Sequence, residues 1–98
     1  MNLQHHAREL AESEFAPLAA KIDNSEEYPW DSVAKLRDAG FMGMTIPKTY
    51  GGQGRSYHAC VPVIEEIARC CATMGRITVE ANMGAIGAVM AYGSEKQK

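Results

Sequence analysis

"IPKTYGGQG" occupies residues 46–54, and its reading decides how the rest of the chain folds. A proline, a tyrosine and three glycines within nine residues mark a loop. Proline presets one backbone angle, and glycine reaches left-handed angles without a steric penalty. A dinucleotide fingerprint would need G-x-G-x-x-G spacing and a strand before it. "GGQG" has neither, so the glycines read as turn-formers and not as a phosphate cradle. Pro47 and Tyr50 are expected to pin the loop. Gly51, Gly52 and Gly54 are expected to permit its tight turns, with at least one residue at positive φ.

On either side of the loop the periodicity is helical. Leu3, Ala7, Leu10 and Ala11 fall on one face of a first helix over residues 3–20, extended by Leu18 and Ile22, with Glu9, Glu12 and Glu14 opposite. Pro17 interrupts it, because proline removes one helical hydrogen bond and crowds the preceding turn. The expectation is a kink or a restart near Ala16. After a polar connector, a second helix should open between Pro29 and Asp31 and end at Gly40. Trp30 is expected to plug a core or an interface.

Beyond the loop, a third helix spans residues 57–72. It is expected to turn Val61, Ile64, Ile67, Ala68 and Cys71 inward, and Glu65, Glu66 and Arg69 outward. A break at residues 73–75 leads to a fourth helix over residues 76–92, closed by Gly93. "SEKQK" then opens another helix with Ser94 as its N-cap. The fourth helix is apolar on nearly every side, so it expects to be buried on nearly every side. Gly84, Gly87, Ala85 and Ala88 would let a neighbour approach its backbone closely. The fold class is therefore all-α: a small orthogonal or up-down domain of four main helices plus the start of a fifth, with the glycine loop between the second and third.

Composition narrows the function classes. The chain has 98 residues, 46% of them hydrophobic, with ten basic and twelve acidic residues giving a net charge of −2. That suits one globular domain. No basic cluster points to nucleic acid. No apolar run is long enough for a membrane span. The N-terminus lacks the charged and apolar regions of a signal peptide. Cys60, Cys70 and Cys71 have no metal-like spacing and read as reduced thiols of an intracellular compartment, and no metal site is expected. A cysteine enzyme built on Cys60 and His58 would lack a visible third member.

Taken in order, these residues resemble the N-terminal helical domain of the acyl-CoA dehydrogenases. The resemblance rests on Pro17, on Asp23 and Pro29, and on Gly40, Pro47, Tyr50, Gly51, Gly52 and Gly54. It continues through Glu66 to Gly93, Gln97 and Lys98, and covers nearly the whole chain. It implies a flavin-dependent enzyme that dehydrogenates an acyl-CoA thioester between its α and β carbons. FAD would be held by a middle β-domain and a C-terminal helical domain, which this chain lacks. The 98 residues are then expected to be a single partial domain, inactive alone and without tight affinity for FAD. No catalytic residue is expected here, and no cofactor-binding residue can be named.

The resemblance further implies that Arg76, Ile77, Glu80 and Gly84 wall the acyl pocket. Arg76 departs from the uncharged side chain common at its position, which points to a polar or short acyl group. The implied partners are acyl-CoA, the remaining domains of the polypeptide, further copies in a homo-oligomer, and an electron-transfer flavoprotein. The implied location is a bacterial cytoplasm or a mitochondrial matrix. The competing reading is a small helical interaction module or a non-catalytic remnant, whose apolar fourth helix docks onto a partner.

Overall fold

The computed structural model describes residues 2–98, and over these the chain is all-α. Helix α1 (Leu3–Leu10) starts at Asn2, whose side chain accepts the amides of Gln4 and His5. It runs through a wide turn at Ala11–Phe15 and a tight one at Ala16–Leu18 into α2 (Ala19–Ser25). This is how Pro17 is accommodated. The Ala16 amide reaches back five residues to the Ala11 carbonyl, so the turn before the proline holds one residue more than an α-turn. The helix resumes only at Ala19, as the proline's missing N–H requires.

Helix α3 (Trp30–Asp38) opens after Pro29, as expected, and Gly40 follows it at φ +86°. Helix α4 (Tyr57–Cys70) is capped by Ser56, whose hydroxyl accepts the Ala59 amide at 3.2 Å. The expected break at residues 73–75 falls instead at Cys71, which alone is extended (φ −154°, ψ 108°). Helix α5 (Ala72–Asn82) begins directly after it. Gly75 lies inside α5 because a side chain there would collide with Ala68: its Cβ would stand 2.5 Å from that of Ala68. The glycine lets α4 and α5 pack backbone to backbone, and so breaks no helix.

The fourth helical segment is likewise divided. Met83 leaves helical angles (φ −131°, ψ −63°), and α6 (Gly84–Tyr92) starts after it. At the far end Ser94 and Gln97 form a reciprocal capping box. The Gln97 side chain accepts the Ser94 amide at 2.8 Å, and the Ser94 hydroxyl accepts the Gln97 amide at 3.3 Å. Of the helix expected to open at Ser94, the structure shows one capped turn over residues 95–97.

Phe15, Leu36, Phe41, Met44, Val63, Ile67 and Met74 fill the core without solvent exposure. Three assignments on α4 change. Val61 and Ala68, expected inward, are exposed, and Glu66, expected outward, faces in. The Glu66 carboxylate takes Nε of Arg8 at 2.8 Å and Nη2 of Arg69 at 3.4 Å, tying α4 to α1. Arg8 first, with Arg69 beside it, holds the carboxyl below its usual range. Trp30 does not plug the core of this chain. It is 72% exposed and lies against Tyr28 with ring centroids 4.5 Å apart.

The glycine loop closes on itself. The Gly52 amide donates to Pro47, Gly54 to Ile46 and Arg55 to Met44. Gly51 and Gly54 take positive φ, at +90° and +65°, and the Tyr50 hydroxyl donates to Glu95 at 2.6 Å. Gly52 has no positive φ; a different constraint holds it. A Cβ there would stand 2.1 Å from the Ile46 carbonyl oxygen. Backbone cannot yield as a side chain tip does, so Gly52→Val should destabilise the chain by about 1–3 kcal/mol through overpacking. Urea denaturation measures it, and a change below about 0.5 kcal/mol, the scatter of ordinary surface substitutions, would remove the constraint.

Candidate functional site

Helix α5 carries Arg76, Ile77 and Glu80, and its C-terminal end is fixed by the loop. The last four carbonyls of a helix need donors from outside it. Here Gly43 donates its amide to Ala81 at 3.1 Å, and the Thr45 hydroxyl donates to the Asn82 carbonyl. Asn82 completes the joint. Its side-chain oxygen accepts the Met44 amide at 2.7 Å, and its amide nitrogen donates to the carbonyls of Phe41 and Thr78, both at 2.8 Å. Asn82 is fully buried with every polar side-chain atom engaged. The segment Phe41–Thr45 thus serves as the cap of α5. This accounts for a loop interrupting the helices where it does. Sequence reading passed over Asn82; the available signal was a polar side chain within an otherwise apolar run.

The four expected wall residues fall into two groups. Arg76 and Ile77 line an open cleft of about 620 Å³ between α5 and the connector Glu26, Glu27, Tyr28 and Pro29. Ile77 also packs against the core. Glu80 and Gly84 lie at the α5–α6 break, outside that lining. Arg76 joins the groups, because its Nε and Nη2 both lie 3.1 Å from Oε1 of Glu80. Gly84 opens α6 beside the same carboxylate. A Cβ on Gly84 would stand 2.5 Å from Oε2 of Glu80, so a side chain there would meet Glu80 first.

The cysteine alternative has no geometry behind it. Cys60 is fully buried, and burial pushes its thiol pKa up, which disfavours the thiolate a nucleophile needs. His58 is exposed. Helix α6 has no buried residue; Val89 is 42% and Tyr92 91% exposed. Much of its apolar surface is therefore uncovered in this chain, with Ile86, Gly87 and Met90 partly buried. Among the described residues no helix is long and apolar enough to cross a membrane.

Comparison with known proteins accords with this architecture. The family model described as "Acyl-CoA dehydrogenase, N-terminal domain" matches residues 1–98. The 3-sulfinopropanoyl-CoA desulfinase of Cupriavidus necator is 68% identical over 99% of this chain and 25% of its own length. The enzyme of the same name from Variovorax paradoxus is 65% identical over 99% of this chain and 24% of its own. The mitochondrial short-chain specific acyl-CoA dehydrogenase of Sus scrofa is 35% identical over 98% of this chain and 23% of its own. The chain thus spans about a quarter of the length of the curated relatives it matches. With the family model matched from end to end on an all-α fold, this chain belongs to the acyl-CoA dehydrogenase family and spans its N-terminal domain.

Proposed function

We propose that the parent enzyme acts on a short acyl-CoA thioester whose distal carbon carries a sulfinate, and that it releases that group. The observation that carries the reading is Arg76, a cation on the segment that resemblance assigns to the acyl-pocket wall. The two desulfinases above supply the chemical class, since their name specifies an acyl group ending in an anion. A hydrocarbon chain gives an arginine nothing to bind. A sulfinate presents two oxygens that a guanidinium can meet with two parallel N–H bonds.

In this reading Arg76 holds the sulfinate, Ile77 flanks the methylenes, and the Glu80–Gly84 break closes the end of the pocket. The reaction balances without an external oxidant. The C–S bond breaks, the carbon takes a proton, and water supplies the third oxygen of sulfite, leaving propanoyl-CoA. An α,β-dehydrogenation would instead need an electron acceptor. FAD goes with the family. The glycine loop does not cradle its phosphates, because the amides of Gly51, Gly52 and Gly54 are already donated to Lys48, Pro47 and Ile46. The flavin, the remaining domains and a homo-oligomeric assembly are proposed for the parent alone. An interaction-module role has no observation of its own, since both readings share the exposed α6.

The test is incubation of the full-length parent with 3-sulfinopropanoyl-CoA and no added electron acceptor. Stoichiometric sulfite and propanoyl-CoA are expected. Absence of sulfite, together with acceptor-dependent oxidation of butanoyl-CoA, would replace the desulfinase reading by a dehydrogenase one.

A further inference from the structure

We infer that Glu80 is a positioning residue for Arg76, and that the missing side chain of Gly84 is what gives it room. The inference rests on the reading of Arg76 as the partner of an anionic acyl end. Arginine has two edges that can each make a pair of parallel N–H bonds. Glu80 lies against one of them: its Oε1 accepts the Nε–H at 3.1 Å, and Nη2 stands at the same distance from that oxygen as an ion-pair contact. The other edge, formed by Nη1 and the second N–H of Nη2, meets no acceptor among the described residues and can fork onto two oxygens of a ligand.

The second oxygen of Glu80 explains why the carboxylate lies where it does. Oε2 is 3.5 Å from the Ala85 amide and occupies the space that a Gly84 side chain would fill. The carboxylate is thus lodged against the α5–α6 break, and that break is fixed by Asn82 and the loop cap. The guanidinium, on a side chain 75% exposed, takes its direction from the one end of the pair that is anchored. Two partly exposed charges four residues apart contribute little to stability. What they contribute here is orientation.

Glu80 also carries a negative charge, which opposes an anionic ligand. The two effects have opposite signs, so measurement separates them. The probes are 3-carboxypropanoyl-CoA, whose carboxylate stands in for the sulfinate and cannot be released as sulfite, and butanoyl-CoA, which has a methyl group instead. Calorimetric titration of the full-length parent gives the preference, the ratio of the two dissociation constants.

In Glu80→Gln the preference for the anionic thioester should fall about tenfold, the scale of one charge-assisted hydrogen bond. Gly84→Ala should lower it in the same direction by displacing the carboxylate, and it serves as the second test if Glu80→Gln folds poorly. Adding Glu80→Gln to Arg76→Met should change nothing further. An unchanged or higher preference in Glu80→Gln, while Arg76→Met abolishes it, would overturn the positioning role and leave the function standing. A preference that survives Arg76→Met would overturn the functional reading itself.

Discussion

Asn82→Asp should cost the chain about 3–5 kcal/mol at neutral pH, the range for an uncompensated buried charge. The substitution keeps the size of the side chain and its one acceptor oxygen. The oxygen that still receives the Met44 amide is unaffected. The other replaces a nitrogen that donates to Phe41 and Thr78, so it now faces two carbonyl oxygens 2.8 Å from the old donor. Nothing else reaches it, because Asn82 has no solvent exposure. The sign of the pH dependence follows. Burial beside carbonyls raises the folded pKa of the new carboxyl above its unfolded value of about 3.9. Below that value the group is protonated in both states and can donate to one carbonyl, so the defect is smallest. It grows as pH rises through the unfolded value towards the raised folded one. Urea denaturation of wild type and variant at pH 4 and pH 7 measures both the size and the sign. A difference within about 0.5 kcal/mol at pH 7, the scatter of surface changes, would show that the joint between loop and helix is dispensable.

What could be read from the sequence, and what could not, divides along the range of the interactions. The existence of the loop, the Ser94 cap, the interruption at Pro17 and the end of α3 at Gly40 are dictated by residues within a few positions of one another. The inward turn of Glu66 is not. Its partner Arg8 lies 58 positions away, and by periodicity alone a glutamate beside Glu65 reads as surface. Gly52 and Gly75 are constrained by Ile46 and Ala68, contacts through space that glycine spacing does not reveal. The division at Met83 is hidden because helix-compatible apolar residues continue on both sides of it and no proline marks a stop. It arises from donors that arrive from residues 43–45, on the far side of α4 in the chain. Of the candidate site, the charged pair Arg76 and Glu80 was legible as polar intruders on an apolar helix. Their direct contact follows from i,i+4 spacing, but the part played by Gly84 required the fold.

Arg76→Met in the full-length parent should lower kcat/KM for 3-sulfinopropanoyl-CoA by about 10²- to 4 × 10³-fold. The estimate comes from what removal of one partner does to a desolvated charge pair, about 3–5 kcal/mol, at about 1.4 kcal/mol per tenfold. In this chain Arg76 faces solvent, with its side chain 75% exposed, and an exposed pair would be worth far less. The large effect therefore depends on the rest of the enzyme closing over the α5 surface and excluding water from the acyl end. Methionine retains most of the arginine stem's apolar contact and removes the charge, so the loss reports the guanidinium and not the packing. Butanoyl-CoA has no anion to lose, and its competitive inhibition constant against the same variant should not rise in parallel. That contrast separates a missing counter-charge from a damaged pocket. If both thioesters weaken equally, Arg76 acts through structure. If neither does, the cation lies outside the pocket, and the acyl end is met by residues beyond this domain.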